Sequence, residues 1–431
     1  MSQSETGAVH LHNRSTTLSS PWLLEARQEI DAKAKPPGSL GLLEDWAVKI
    51  SDIQQTLRPH ISAARLVLFA GDHGITLSHP GVSAYPREVT RPIFQDIASG
   101  TGASAILSRS NGCELNIVDV GIDTCKDERY PYENGGASFT IAGGAHHITV
   151  TQAKVSRGSR DMTQGPALTP EERAAAQNVG AEAVRRYLAE HAKAHPAPGA
   201  ISCNEDTTGG ASSHSRLALC IGELGIGNTT AAAALVAALT GSPAALVTGK
   251  GTGLDPDGVN LKAQAIEKAL AANSELVRER DPAHVLEAVG GLELAAMVGA
   301  YLEAGRWRMP ILVDGFVSGA AALVALHFHP PLAAFLFWSH QSDEKGASVL
   351  LQAVATKAQE IDVPYFPPPL MMSLRLGEGT GALLALPLLR SACAIMREMV
   401  TMDSMVEGKK ECRGIDSETG SNQDKKELGP K

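Results

Sequence analysis

Glu378 lies between two glycines in the stretch RLGEGTGALLAL, just ahead of an apolar run with helical character. Helix starts favour carboxylates, so this glutamate could simply cap the helix. The flanking glycines also leave its side chain open to a ligand. An apolar setting would raise its pKa and fit it for general-base work at neutral pH. Glu223, also beside a glycine in GELGIGN, is a second carboxylate of the same kind. Either residue could instead orient a sugar hydroxyl.

The stretch GELGIGNTTAAAA at 222–234 suggests where an anion would sit. A helix start carries free N–H groups and about half a positive charge. Small residues let an anion approach closely, and hydroxyl or amide side chains add donors. Gly225 and Gly227 can shape the turn, while Asn228, Thr229 and Thr230 can donate. The segment reads either as a phosphate cradle or as an ordinary strand-to-helix turn with a threonine cap. SGAAALVAL and TGALLALPLL echo it, each starting a small-residue helix straight after a glycine loop. Lys262, about one turn beyond GTGLDPDGVN, or Lys250 could supply a point charge to a phosphate. TGKGTG at 248–253 lacks the Walker A spacing, and no G-x-G-x-x-G follows the first strand, so a kinase or dehydrogenase finds little support. Asp72 and His73, with Ser339, His340, Asp343 and Glu344, set His and carboxylates at irregular spacing, which does not define a metal site. No metal and no cofactor is expected.

These groups need elements to hold them. RLVLFAGDHG, CELNIVDVGID, RLALCIGELGIGN, ALVTGKGTG, MPILVDGFVSG and LAAFLFWSHQS are short apolar runs, each ending in glycine or polar residues. Helical stretches such as EVTRPIFQDIASGTGASAILSRS and DGVNLKAQAIEKALAAN lie between them. Buried strands alternating with helices predict an α/β fold with a doubly wound parallel sheet, Rossmann-like, with functional loops at the carboxyl ends of the strands. Before the first strand come PWLLEARQEIDAKA, a KPPGSLG loop and LLEDWAVKISDIQQTL, read as two helices with Ser39 capping the second. Residues 188–215, rich in Ala, Pro, Gly and Ser, read as an inserted mobile loop, and the charged 406–431 segment as a disordered tail.

Bulk properties narrow the partners. The chain has 431 residues, 43% hydrophobic and 20% charged, enough for a large core in an ordinary globular protein. Its net charge of −9 disfavours nucleic acid and acidic membranes while leaving room for a small phosphorylated ligand in a local basic pocket. The six cysteines form no C-x-x-C pair and read as reduced thiols. The amino-terminal MSQSETGAVHLHNRS has no apolar h-region, and no run of 18 apolar residues occurs, so a cytoplasmic location is expected.

Ten stretches also recur in family order: KPPGSLGLLE at 35–44, FAGDHGI at 69–75, GVSAYPREVT at 81–90, NIVDVGID at 116–123, DMTQGPALTPEE at 161–172, IGELGIGNTTAAAAL at 221–235, GKGTGLD at 249–255, GGLELAAMVGAY at 290–301, ILVDGFVSGAAALVA at 311–325 and RLGEGTGALLALPL at 375–388. In these the chain resembles the benzimidazole phosphoribosyltransferases of cobalamin nucleotide-loop assembly. The resemblance implies a small helical domain built from both ends of the chain: an amino-terminal segment 1–60, a large α/β domain 61–350, and a segment 351–405 that carries Glu378 and completes the small domain. It implies a homodimer whose partners are small molecules. The implied reaction moves 5-phosphoribose from nicotinate mononucleotide to 5,6-dimethylbenzimidazole or a similar base. Glu378 matches the family's catalytic glutamate and Glu223 its second active-site glutamate. Gly225, Gly227, Asn228 and Thr229 match the phosphate loop, with Lys262 as its charged partner. Ser83 and Tyr85 match the base pocket, while Asp314, Gly315, Ser339 and Ser342 fall on the nucleotide side.

The family usually reads S-H-x-S-A-E-P-G-H where this chain has SHQSDEKGAS at 339–348. That departure at Asp343, Lys345 and Ala347 keeps a competing reading open, a nucleotide or cobalamin-precursor sensor without turnover. A transferase using another base is the third reading.

Overall fold

The structure, a computed structural model, describes residues 20–123, 137–140, 147–194 and 213–405. Among them, six strands run parallel: β1 (Ala63–Gly71), β2 (Glu114–Gly121), β4 (His147–Gln152), β5 (Leu217–Leu224), β6 (Ile311–Val313) and β7 (Leu336–Trp338). A short β3 (Ala137–Thr140) pairs antiparallel with β4 at one edge. The sheet order is β3-β4-β2-β1-β5-β6-β7. The chain therefore builds outward from β1 through β2 to β4, returns to β5, and continues through β6 to β7. That reversal makes the fold a doubly wound α/β sheet, with its switch point between β1 and β5.

The apolar runs form central strands because both faces are covered. Every residue of β5 is buried, and so is every residue of β1 after Ala63. Side chains alternate between two cores with the period of a strand. Val67 and Phe69 join one core with the helices Asn228–Thr240, Leu292–Arg306 and Phe316–Phe328. Leu66 and Leu68 join the other with the helices Pro21–Ala32, Leu42–Gln54 and Thr380–Glu398. Both ends of the described chain thus pack on one face of the sheet. Thr380–Glu398 is long and apolar enough to cross a membrane by length and composition, but its Leu383, Leu386 and Leu389 are core residues on that face.

Four local expectations are corrected. ALVTGKGTG is not a strand. A short helix, Ala244–Val247, starts after Pro243, and a glycine loop follows it with positive φ at Gly251 and Gly253. A four-residue apolar run does not by itself distinguish a strand from a buried helical turn. Ser39 does not cap Leu42–Gln54, whose N-cap is Gly41. Glu44 organises that loop instead, accepting from the backbone N–H groups of Gly38 and Leu40 and pairing with Lys35 at 2.8 Å. EVTRPIFQDIASGTGASAILSRS forms two helices, Thr90–Ala98 and Ala103–Ser110, broken at the glycines between them. The expected loop does not begin at 188, because the helix Pro170–Ala194 runs through that point. Residues 195–212 of the expected insertion and the 406–431 tail lie outside the described residues.

Candidate active site

A cavity of about 490 Å³ opens at the carboxyl ends of β5, β6 and β7. Its walls include Glu223, Gly225, Asn228, Thr229, Asp314, Gly315, Ser342 and Glu378, which are far apart in the sequence. A larger cavity of about 740 Å³ lies among the helices Asn228–Thr240, Phe316–Phe328 and Ala347–Gln359 and, among the described residues, takes no strand residue into its wall and holds none of the predicted site residues. Chemistry in an open α/β sheet belongs at the carboxyl end of the strands, so the smaller cavity is the candidate site.

Two backbones must approach closely to bring its carboxylates together. A Cβ on Gly222 of β5 would lie 2.6 Å from the amide nitrogen of Gly379, and one on Gly377 would lie 2.2 Å from Glu223 Oε1. Gly377, Glu378 and Gly379 all have positive φ, at 80°, 58° and 73°. Glu378 therefore holds a left-handed conformation that a side chain rarely adopts, a form of strain common at functional sites. Glu378 is 8% exposed, and its carboxylate reaches the first turn of Ala103–Ser110, where Ser104 Oγ lies 3.5 Å away. Burial raises the Glu378 pKa above the usual carboxylate value; the Ser104 hydrogen bonds oppose this and the charge of Asp314 adds to it. Glu223 is 5% exposed and is pushed well above the usual range by burial, with Asp314, Glu293 and Glu378 adding repulsion. The Asn228 side-chain amide donates to Glu223 and opposes that shift.

The glycine loop after β5 forms a tight turn. Gly227 has φ 99° and stands at the N-cap of the helix Asn228–Thr240. A Cβ on Gly225 would meet the Gly71 carbonyl at 2.1 Å, so only glycine lets this loop lie against the end of β1. Thr90 Oγ1 accepts from the Ile226 amide at 3.1 Å and fixes the turn from the other side. Lys262 is fully buried, and its Nζ donates to Thr229 Oγ1 at 2.7 Å. Burial lowers its pKa to about 8, while the charge of Glu344 acts in the opposite direction. Lys250, the other lysine considered, is exposed.

Asp314, at the end of β6, caps the helix that follows Glu378. It accepts from the backbone N–H groups of Gly381 at 2.7 Å, Gly379 at 3.2 Å and Ala382 at 3.3 Å. His340 Nε2 lies 3.5 Å from the same carboxylate. Gly315 lines the cavity beside them. Ser339 is fully buried and donates to the Val313 and Asp314 carbonyls, so it braces β7 against β6 outside the cavity wall. His73, considered for a metal, instead pairs with Glu293 at 2.7 Å behind the glycine loop. The three departures in 339–348 also lie outside the cavity wall. Asp343 and Lys345 are exposed, and Ala347 starts the helix Ala347–Gln359. His340, Ser342 and Glu344, common to the chain and the family pattern, are buried and line the cavity.

Tyr85 lines the mouth, whereas Ser83 Oγ contacts Thr252 Oγ1 at 3.2 Å. Thr252 also accepts from the Ala84 amide at 3.0 Å, tying the GKGTG loop to the Ser83–Tyr85 segment. Sequence reading missed Thr252, Phe316, Leu374, Arg375 and Leu376, all cavity-lining. Arg375, Leu376 and Thr252 stand inside motifs already singled out, so that signal was present. Ser104 comes from an unrelated helix, and nothing in the sequence marked it.

The fold and cavity define a doubly wound α/β protein that sets a glycine-bounded helix start and two buried carboxylates around one cavity. A family model described as phosphoribosyltransferase matches residues 16–208 and 197–406. The nicotinate-nucleotide–dimethylbenzimidazole phosphoribosyltransferase of a Bradyrhizobium species is 40% identical over 367 residues, covering 85% of this chain and 89% of that protein. The protein of the same name from Pseudomonas fluorescens is 35% identical over 396 residues, covering 89% and 97%. The crystal structure of CobT from Thermus thermophilus aligns with a TM-score of 0.73 at 36% identity, covering 89% of this chain and 98% of that one. The chain belongs to this phosphoribosyltransferase family.

Proposed function

We propose that this protein transfers 5-phosphoribose from nicotinate mononucleotide to 5,6-dimethylbenzimidazole or a similar base, giving α-ribazole 5′-phosphate and nicotinate. The observation that carries this reading is the meeting, in one cavity, of Glu378 and Glu223 with the glycine loop backed by Lys262. The amides of that loop and the helix Asn228–Thr240 suit the dianionic phosphate. The ribose then lies toward the carboxylates. A benzimidazole nitrogen attacks C1 of the ribose, the bond to the pyridinium nitrogen breaks, and its electron pair neutralises nicotinate's ring charge. The leaving group therefore needs no acid. The attacking base must lose the proton on its other nitrogen, and one general base suffices. Glu378 takes that role, and Glu223 orients the substrates. Tyr85 belongs to the base pocket, with Ser83 supporting it through Thr252.

The sensor reading loses its motive, since the residues that depart from the family pattern are not part of the cavity wall. The same proposal includes a small helical unit made of 1–60 and 351–405 around the large unit 61–350, a homodimer, and a cytoplasmic location. Exposed Met371 and Met372, just ahead of the cavity-lining segment that holds exposed Leu376, support the dimer, since exposed apolar side chains close together in the chain suit a contact surface. The test is release of nicotinate from nicotinate mononucleotide plus 5,6-dimethylbenzimidazole, compared with Glu378→Ala. The expected result is a large loss of turnover with nucleotide binding kept. Similar turnover in the variant would remove Glu378 as the base.

A further inference from the structure

Arg375 is the only lysine or arginine in the cavity wall among the described residues. Its Nη1 donates to the Gly251 carbonyl at 2.9 Å, and among the described residues it forms no ion pair. Gly251 in turn packs on the anion end of the cavity. A Cβ built on it would lie 2.8 Å from Thr229 Oγ1 and 3.1 Å from Lys262 Nζ. One glycine thus touches the buried lysine, the threonine of the helix start and the exposed arginine. A guanidinium anchored by one nitrogen to a neutral carbonyl keeps its remaining N–H donors free, and a planar donor fork suits phosphate.

We propose that Arg375 is the second cation on the ligand's phosphate, closing over it from the solvent side while Lys262 holds it from beneath. This rests on the phosphoribosyl-transfer reading above. The residue stands three positions ahead of Glu378, in the segment that ends in the run of positive φ. Phosphate contact at Arg375 therefore steadies the segment that presents the base, so that binding energy from a non-reacting group serves the reacting one.

The experiment compares nicotinate mononucleotide with its dephosphorylated form, nicotinate riboside, as donors to 5,6-dimethylbenzimidazole. Both are measured in the wild-type protein, Arg375→Ala and Arg375→Lys. With the nucleotide, Arg375→Ala is expected to lose about 10- to 100-fold in kcat/KM, Arg375→Lys less, and added guanidinium ion to restore part of the Arg375→Ala loss. With the riboside the Arg375→Ala loss is expected to stay below about threefold, because the phosphate contact is already gone. Equal losses with both donors would reduce Arg375 to an anchor for the Gly251 loop, and no loss with the nucleotide would remove it altogether. Inorganic phosphate supplies a readout independent of turnover. It is expected to raise the melting temperature of the wild type more than that of Arg375→Ala. If that difference holds while the wild type releases no nicotinate, the arginine's role stands and the transfer reading falls. If phosphate stabilises both proteins equally, the arginine's role falls.

Discussion

Replacing Glu378 with glycine should make the protein more stable and nearly inert. Glu378 holds φ at 58° between two glycines that are also left-handed. A non-glycine residue held in such a region costs about 1–3 kcal/mol. Glycine has more freedom to lose on folding, which returns about 0.5–1 kcal/mol of the gain, so the net backbone relief is roughly 0–2.5 kcal/mol. Truncation creates little new void, because the side chain already faces a cavity. The charge acts in the same direction. Burial holds the folded pKa of Glu378 above its unfolded value, so the folded state binds more protons above the unfolded pKa. The group's contribution is therefore fully present below the unfolded pKa and is lost as pH rises through the folded one. At neutral pH, removing the carboxylate relieves that cost. Glu378→Gln removes the charge and keeps the strained φ, so the difference between the two variants isolates the backbone term. Loss of a general base should cost about 100- to 10,000-fold in turnover, equivalent to roughly 3–5 kcal/mol on the barrier. Urea denaturation gives the stability, and chromatographic detection of released nicotinate gives the rate. The reasoning fails if Glu378→Gly is less stable than Glu378→Gln, or if either variant turns over within about tenfold of wild type.

Lys262 carries its charge below a pKa near 8 and loses it above. Affinity for nicotinate mononucleotide should therefore weaken between pH 7 and pH 9, and Lys262→Ala should abolish that alkaline decline while weakening binding at every pH, as titration calorimetry would report. Asp314→Ala removes the acceptor for three amides at the start of Thr380–Glu398 and should cost about 1–3 kcal/mol in denaturant unfolding. Asp314→Asn, which keeps one acceptor oxygen, should cost less. Gly225→Ala forces a Cβ to within 2.1 Å of the Gly71 carbonyl. It should lower stability by about 1–3 kcal/mol and raise KM for the nucleotide; an unchanged melting temperature would show that the loop yields freely.

The strands were legible because a parallel strand is buried on both faces and must be apolar along its length. RLVLF and LALCIGEL have no other comfortable environment. Their order was not legible, since pairing partners are chosen by register and crossover rather than by anything local to a strand. ALVT misled because four apolar residues satisfy a helical turn as well as a strand, and the choice fell to Pro243 before it and the glycines after it. The glutamates and the glycine loop could be found because glycine is demanded there by close approach, and that demand leaves a mark in the sequence. The duty of Asp314 left none. A strand-end aspartate suggests a ligand contact, yet its acceptors are taken by amides from a segment more than sixty residues away. Ser104 was likewise invisible, because its contact with Glu378 exists only once two sheet-covering helices have packed.

The two carboxylates are not equivalent, and the surroundings decide which can act as base. Glu223 faces the charges of Asp314, Glu293 and Glu378 together, with one side-chain amide in compensation. Glu378 faces Asp314, and both the backbone and the hydroxyl of Ser104 favour its ionised form. When protons are scarce, the group with fewer like charges and more donors gives up its proton first, and its charge then holds the proton on the other. In the proposed reaction this asymmetry favours Glu378 as the group that accepts a proton from a heterocyclic N–H. In the same proposal Glu223, whose burial and like-charged neighbours hold its proton against the opposing Asn228 amide, orients the substrates. Asp314 repels both carboxylates, so the asymmetry comes from Glu293 beside Glu223 and Ser104 beside Glu378. Because that aspartate caps the helix after Glu378, the residue that anchors the carboxy-terminal helix to the sheet also helps hold protons on both glutamates.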